Sequence, residues 1–259
     1  PVGSYRRTFT LPEGWETGKR VYLHFDGLYS AAFVWLNGQY VGYTQGGNND
    51  AEFDLTAYLR TGENNICVQV FRWSDGSYLE GQDMFHMSGL HRDVYLYATP
   101  AVAVRDHYIT AALAAPSYTS GTLSVAMTLD NRERRAGTKQ VEVALISPEG
   151  ETVATQTASV DYAASDLEKD FSVEIPVSGL TLWTAETPVL YTVAIRQMNE
   201  SDAEEMAFST RYGFRDVRIS DGVVLINGKR VFFKGVNTQD THPLHGRSID
   251  VETMIKDIV

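Results

Sequence analysis

Apolar and polar side chains alternate with a period of two along most of the 259-residue sequence. Val21, Leu23 and Phe25 share one face of the segment RVYLHFDG, and the same alternation recurs in residues 171–177. Such alternation is typical of antiparallel strands that are buried on one face only. Helical spacing of apolar residues is nearly absent before the C-terminal residues. The pattern therefore predicts a mainly β protein.

Two consecutive β-sandwiches are predicted in the first part of the chain. In residues 1–99, Asn37-Gly38 divides two apolar runs, as the turn of a type I′ hairpin does. Shorter strands follow Pro100, and about seven of them in residues 100–216 are typical of an immunoglobulin-like sandwich. Cys67 is the only cysteine of the sequence, so neither an internal disulfide nor a cysteine-based zinc site is possible.

Residues 217–259 have a different pattern and predict a third unit. Asn227-Gly228 is a second hairpin signal, and the apolar residues around Phe233 continue as a strand. Farther on, the apolar residues adopt helical spacing, with Ser248 and Asp250 as candidate N-caps. A strand, a polar loop and a helix in this order predict the first βα unit of a larger α/β domain. The chain is expected to stop inside that domain.

Charge and hydropathy exclude two classes of partner. Lys and Arg number 22 against 33 Asp and Glu, which gives a formal net charge of -11. Because an acidic surface repels phosphate, no nucleic-acid partner is expected. No apolar run approaches the roughly 18 residues that span a bilayer, so no membrane association is expected. A cysteine-poor chain suits the cytosol and the periplasm equally, which leaves the compartment open.

Two segments resemble a known family. Residues 72–94 of this chain read RWSDGSYLEGQDMFHMSGLHRDV. They closely resemble a diagnostic segment in the sugar-binding domain of bacterial β-galactosidases of glycoside hydrolase family 2. Residues 213–246, GFRDVRISDGVVLINGKRVFFKGVNTQDTHPLHG, are similar to the part by which that family enters its catalytic barrel. The resemblance implies three domains: a sugar-binding jelly roll at 1–99 without its first strands, an immunoglobulin-like domain at 100–216, and the truncated start of a TIM barrel at 217–259.

The family's activity follows from the same resemblance. It implies that the chain is the N-terminal portion of a retaining, exo-acting β-galactosidase, which hydrolyses terminal β-D-galactosyl residues. Retaining hydrolysis needs two carboxylates about 5 to 5.5 Å apart, and in the family both are Glu residues beyond the position matching Val259. No catalytic residue is therefore expected here, and the chain alone is expected to be inactive. The resemblance further implies that the rest of the barrel is a partner of this chain and holds a magnesium ion. It also implies that the complete enzyme is a homo-oligomer.

Two residues are candidates for substrate binding. By its place in EGQDMFHMSG, Asp83 matches the family's aspartate that contacts galactose hydroxyls and a sodium ion, and a carboxylate suits both. The alternative is a loop aspartate that caps local backbone amides. Gln239 follows the predicted barrel strand, where the commonest family pattern has Arg-His in place of Thr238-Gln239. An amide keeps hydrogen-bonding capacity without a titratable group, so Gln239 is a candidate for altered sugar preference.

The segment around Asp83 also contains aromatic residues and histidines. Trp73, Tyr78 and Phe85 could stack on sugar faces, but packing in the core is the favoured prediction, because a β-sandwich must bury most of its aromatic residues. His86 and His91 are predicted to be structural, since apolar residues surround them in the sequence.

A second class of function competes with the enzyme. The chain could be a non-catalytic carbohydrate-binding or scaffold protein made of two β-sandwiches. The apolar side chains of Val231, Phe233 and Met254 would then have nothing to pack against, which favours the enzyme. Within the family, β-glucuronidases and β-mannosidases share the same three-domain plan, and the segment WSDGSYLEGQDMF favours the galactosidase branch.

Overall fold

The computed structural model describes residues 1–47, 49–81, 85–239 and 241–258. Contacts divide the chain into two compact units, the first formed by Pro1–Thr99 with Val236–Val259 and the second by Pro100–Gly235. Each unit is built on β-sheets that enclose an apolar core, which confirms the predicted mainly β fold class.

The first unit contains a four-stranded antiparallel sheet, a three-stranded sheet and a short additional pair of strands. The order in the larger sheet is β1-β7-β4-β5, that in the smaller sheet is β6-β2-β9, and β3 pairs with β8. The strands are β1 (Val2–Phe9), β2 (Lys19–Phe25), β3 (Leu28–Tyr29), β4 (Ala31–Leu36), β5 (Gln39–Gln45), β6 (Ala51–Asp54), β7 (Asn64–Phe71), β8 (Gly89–Leu90) and β9 (Val94–Pro100).

The alternating pattern of the sequence fills the core of this unit. Val34 and Leu36 of β4 are fully buried, whereas Phe33 and Trp35, which alternate with them, are only partly buried. Asn37 and Gly38 have φ angles of 54° and 82° and join β4 to β5, which confirms the predicted type I′ hairpin. The buried apolar cluster consists of Leu23, Phe25, Leu28, Ala32, Val34, Leu36, Leu55, Val68 and Val70.

The second unit is the predicted immunoglobulin-like sandwich. A three-stranded sheet of order β10-β11-β14 and a four-stranded sheet of order β13-β12-β15-β16 share one apolar core, to which Leu123, Val143 and Ile195 contribute. The strands are β10 (Ala103–Leu113), β11 (Ser120–Asp130), β12 (Gly137–Ile146), β13 (Thr152–Tyr162), β14 (Glu168–Ser178), β15 (Tyr191–Met198) and β16 (Glu204–Tyr212).

A small third sheet belongs to the second unit. It has the order β17 (Val217–Ser220), β18 (Val223–Ile226), β19 (Lys229–Arg230). Asn227 and Gly228, with φ angles of 51° and 74°, form the turn between β18 and β19, which confirms the second predicted hairpin. The Asn227 amide donates a hydrogen bond of 3.1 Å to the Trp183 carbonyl, so the turn is fixed to the sandwich.

Helical structure is limited in the described part of the chain. It comprises a 3₁₀ turn at Thr56–Tyr58, the single turn α1 (Gly76–Leu79) and α2 (Val251–Ile258). The predicted C-terminal helix is thereby confirmed. Of its two candidate caps, Asp250 is the one that accepts the backbone N–H of Thr253, at 2.7 Å.

The strand predicted around Phe233 is absent from the structure. Residues 231–239 form no regular element, and Phe233 and Val236 are 79% and 91% exposed. A parallel barrel strand is held by hydrogen bonds to neighbours on both sides, and the described residues supply neither neighbour. The three-domain division at 1–99, 100–216 and 217–259 stays a prediction, because contacts assign residues 236–259 to the first unit and the rest of the third predicted domain to the second.

Candidate functional site

The loop between β7 and β9 contains most of the candidate residues. It begins at Arg72 and passes through α1, where the Ser77 hydroxyl accepts the backbone N–H of Ser74 at 3.1 Å. Asp83 belongs to this loop but lies outside the described residues. Its role in binding sugar and sodium therefore stays a prediction.

The aromatic residues of this loop are exposed, so the prediction that they pack in the core was wrong. Trp73, Tyr78 and Phe85 are 45%, 81% and 64% exposed. They lie on a loop beyond the end of β7, where the alternation that directs strand residues into the core no longer applies. The rings of Trp73 and Tyr78 are stacked with centroids 6.2 Å apart. Exposed rings beside hydrogen-bonding groups can bind a ligand that has both apolar faces and hydroxyls.

A buried tyrosine orients His86 in the same loop. The Tyr29 side chain is only 3% exposed, and its hydroxyl lies 3.1 Å from Nδ1 of His86. The His86 ring is 6.0 Å from that of Trp73, and the Arg247 guanidinium lies 5.3 Å from the centre of the Tyr29 ring. His86 is itself exposed, so it presents an oriented imidazole next to the aromatic rings rather than filling the core.

His91 is placed at the base of the loop, against the end of β2. A Cβ atom on Gly27 would lie 2.8 Å from its Nε2, so the imidazole packs directly on the Gly27 backbone. Burial, followed by the Arg247 and Arg92 guanidiniums, lowers the pKa of His91 below its ordinary value of 6.5. A neutral, half-buried imidazole fits the structural role that the sequence predicts.

Residues 241–248 approach this loop within the first unit. His242 and Gly246 pair through two backbone hydrogen bonds of 2.7 and 2.9 Å, which close a turn. The Ser248 hydroxyl donates a hydrogen bond to the His91 carbonyl. Gln239, before the turn, is exposed, and its backbone carbonyl accepts a 3.5 Å hydrogen bond from the Thr241 hydroxyl. Its predicted contact with sugar stays a prediction.

His242, His245 and Asp250 place possible metal ligands within 4.8 Å of one another among the described residues. The hydrogen bonds of His242 argue against coordination. Its Nδ1 accepts the backbone N–H groups of Leu244 and His245, at 3.1 and 3.2 Å. The neutral ring therefore carries its proton on Nε2, which removes the lone pair that a metal would need there. The cluster is explained by the turn and by the cap of α2.

Nothing in the sequence pattern indicates the contacts of Tyr29, Arg247 and Ser248. The sequence presents Ser248 only as a candidate helix cap, yet its hydroxyl binds a carbonyl 157 positions away. Such contacts depend on the tertiary arrangement and leave no local periodicity.

Other features of the described residues give no additional candidate. A concavity of about 690 Å³ lies between β1 and β9, but Leu23, Phe25 and Val68 make its lining largely apolar, and of the described candidate-bearing loop it includes Leu90 rather than the exposed aromatic residues. Among the described helices, none has the length and apolar character that a membrane crossing requires.

Three family models match successive parts of the chain. The model of the sugar binding domain of glycosyl hydrolases family 2 matches residues 1–100, a second model described as glycosyl hydrolases family 2 matches 102–215, and the model of that family's TIM barrel domain matches 217–259.

Curated relatives and a solved structure agree with these matches. The chain is 39% identical over 261 residues to the Beta-galactosidase of Priestia megaterium, and 38% identical over 269 residues to that of Yersinia pestis bv. Antiqua (strain Angola). Each alignment covers 100% of this chain and 25% of the relative, so the chain spans about a quarter of their length. A Bacteroides uniformis beta-glucuronidase structure is 26% identical with a TM-score of 0.87, over 99% of this chain and 31% of its own.

Proposed function

The chain belongs to glycosyl hydrolases family 2, and from that premise we propose that it is the N-terminal portion of a retaining, exo-acting β-galactosidase. Its substrates would be terminal β-D-galactosyl residues. The observation that carries the proposal is the 39% identity to the Priestia megaterium Beta-galactosidase along the whole chain. The resemblance of residues 72–94 to the sugar-binding segment of galactosidases supports the same choice of sugar.

In this proposal the chain binds and orients the sugar, while the catalytic carboxylates come from the rest of the barrel. Asp83 would accept hydrogen bonds from sugar hydroxyls and offer a hard oxygen to a sodium ion. Gln239 would contact the sugar through its amide. The exposed rings of Trp73, Tyr78 and Phe85 provide apolar faces in the same loop of the sequence as Asp83. A magnesium ion and a homo-oligomeric assembly would belong to the complete enzyme.

A β-glucuronidase is the second candidate. The structural similarity to the Bacteroides uniformis beta-glucuronidase favours it, since that alignment covers 99% of the chain at 26% identity. The commonest galactosidase pattern has His at the position of Gln239. The amide at this position is compatible with a sugar other than galactose.

The test compares two substrates of the complete enzyme. We expect the full-length protein that contains this chain to hydrolyse nitrophenyl β-galactoside with a higher kcat/KM than nitrophenyl β-glucuronide, with retention at the anomeric carbon. The opposite ratio would support the second candidate. Hydrolysis of neither substrate, together with binding of galactose, would support a carbohydrate-binding scaffold.

The same assay tests Asp83. Loss of one charge-assisted hydrogen bond costs about 1.5 to 3 kcal/mol, so Asp83→Asn should lower kcat/KM roughly 10- to 150-fold and weaken the response to sodium. Asp161→Asn is the matched control, because Asp161 accepts only a hydrogen bond from Thr138 among its described contacts, on the exposed side of the second unit. Unchanged kcat/KM and sodium response in Asp83→Asn would remove Asp83 from the site.

A further inference from the structure

We propose that Gly246, Arg247 and Ser248 are positioning residues that hold residues 85–91, in the loop between β7 and β9, in the arrangement seen in this structure. The inference rests on the proposed function, because it assigns those residues to sugar binding. Gly246 and Ser248 contact the loop directly, Arg247 reaches it through Tyr29, and each of these contacts has a distinct physical basis.

Ser248 anchors the base of the loop. Its hydroxyl donates a hydrogen bond to the backbone carbonyl of His91. The His91 side chain packs on the Gly27 backbone at the end of β2, so this carbonyl belongs to a residue that the sandwich already fixes on its other side. The bond therefore links the loop and the 246–248 segment at a well-defined point.

Gly246 contacts the middle of the loop. A Cβ atom at this position would lie 2.6 Å from Sδ of Met87, so Met87 packs directly on the Gly246 backbone. The φ angle of Gly246 is +64°, which an ordinary residue rarely adopts. Met87 in turn donates its backbone N–H to the Phe85 carbonyl at 2.9 Å. Contact with Gly246 therefore limits the movement of the turn that carries Phe85.

Arg247 acts on His86 of the loop through Tyr29. Its guanidinium lies over the Tyr29 ring at 5.3 Å, and the hydroxyl of that ring is 3.1 Å from Nδ1 of His86. The Tyr29 ring also packs directly on the Gly47 backbone, because a Cβ atom on Gly47 would lie 2.2 Å from that ring. Arg247 thus covers the tyrosine that orients the exposed imidazole.

The segment can act in this way because its own shape is fixed and because the core does not depend on it. Backbone pairing of His242 with Gly246 and the two hydrogen bonds to His242 Nδ1 hold the turn that precedes Arg247. None of the three residues belongs to the buried apolar cluster of the first unit. Loss of their contacts should therefore loosen the loop without unfolding the sandwich.

The experiment measures hydrogen exchange of residues 85–91 in the full-length protein without substrate. Ser248→Ala and Arg247→Ala should each speed exchange there by roughly 2- to 12-fold, the factor that one ordinary hydrogen bond, or one cation–π contact of similar strength, represents. Exchange in β4 and β7 and the melting temperature should stay unchanged. Ser248→Thr, which keeps a hydroxyl, should restore slow exchange. Lys256→Ala is the matched control, because among the described residues Lys256 pairs with Glu252 alone, on the exposed side of α2.

Kinetics provide the second measurement. The same two variants should raise KM for nitrophenyl β-galactoside by a similar factor, with little change in kcat, since the loop is proposed to bind sugar in the ground state. Unchanged exchange of residues 85–91 would overturn the inference, and so would faster exchange throughout the first unit. If exchange changes as expected but the full-length protein hydrolyses no galactoside, the proposed function fails while the positioning role stands.

Discussion

Asp54 joins the beginning of β2 to the end of β6. Its Oδ1 accepts the backbone N–H and the hydroxyl of Thr56, at 3.0 and 2.6 Å, and its Oδ2 pairs with Arg20. Burial raises the pKa of Asp54, but the bonds from Thr56 and Arg20 outweigh this effect, so the net pKa lies below its ordinary value of 3.8. The ionised form is therefore the one that stabilises the fold.

This direction predicts how acid affects stability. Asp54→Asn should lower the melting temperature near pH 7 by about 2 to 4 °C, which corresponds to about 1 kcal/mol after discounting for partial exposure. The extra stability of the wild-type protein over Asp54→Asn is fully present when the pH is above 3.8, the ordinary pKa of Asp. It is lost as the pH falls through the lowered pKa of Asp54 in the folded protein. Thermal melts of both proteins between about pH 2.5 and 7 measure the difference. A difference that is independent of pH would contradict the assignment, and the exposed Glu63→Gln serves as control.

At the residue scale, the sequence predicts strand positions better than loop positions. Val34 and Leu36 are buried as their alternation requires. Trp73, Tyr78 and Phe85 lie beyond the end of a strand, where composition favours burial but no periodicity determines direction, and all three are exposed. The roles of Asp83 and Gln239 come from resemblance alone, because a single carboxylate or amide in a loop has no pattern that distinguishes binding from capping.

Between elements, one buried glutamine connects β15 to the start of β10. Gln197 is 1% exposed, its Nε2 donates to the Val102 carbonyl at 2.8 Å, and its Oε1 accepts the Val104 N–H at 2.9 Å. The same Nε2 lies 2.6 Å from Glu205, which also pairs with Lys139. The glutamine thus satisfies two backbone groups where the chain enters the immunoglobulin-like sandwich.

Gln197→Leu should destabilise the second unit by about 1 to 3 kcal/mol, because it leaves the buried N–H of Val104 and the carbonyl of Val102 without their partner. Urea unfolding of the chain, with exchange of β10 amides as the local probe, measures this loss. Gln140→Leu is the control on the partly exposed side of β12, where the Gln140 side chain binds the Ser159 hydroxyl and no other described side chain, and it should change stability by less than about 0.5 kcal/mol. Equal effects of the two substitutions would refute the assigned role of Gln197.

The hairpins and the missing strand show which elements a sequence can specify locally. Asn37-Gly38 and Asn227-Gly228 adopt the positive φ angles that their turns require, and the sequence predicts both hairpins from the dipeptide between two apolar runs. The strand predicted around Phe233 needs hydrogen bonds from strands on both sides, which no local signal can replace. The helix at Val251–Ile258 forms because its cap and its apolar spacing are local.

At the scale of the whole molecule, the two sandwiches follow from alternation and turn signals, whereas the candidate site depends on contacts between distant segments. Ser248 and His91 are 157 positions apart, and no periodicity connects them. The assignment of residues 236–259 to the first unit is likewise a tertiary property. A sequence pattern can therefore specify the framework of this protein, while the arrangement of the loop between β7 and β9 requires the structure.

The last prediction concerns the chain by itself. Under the proposed function, both catalytic carboxylates belong to the part of the barrel that lies beyond this chain in the relatives. The residues that would contact that part are exposed here: Phe233 is 79% exposed, and Val251 and Ile258 of α2 are 69% and 84% exposed. We therefore expect the purified 259-residue chain to melt cooperatively yet release no nitrophenol from nitrophenyl β-galactoside, while the full-length protein does. Activity that follows the chain through a sizing column would instead place a complete pair of carboxylates within it.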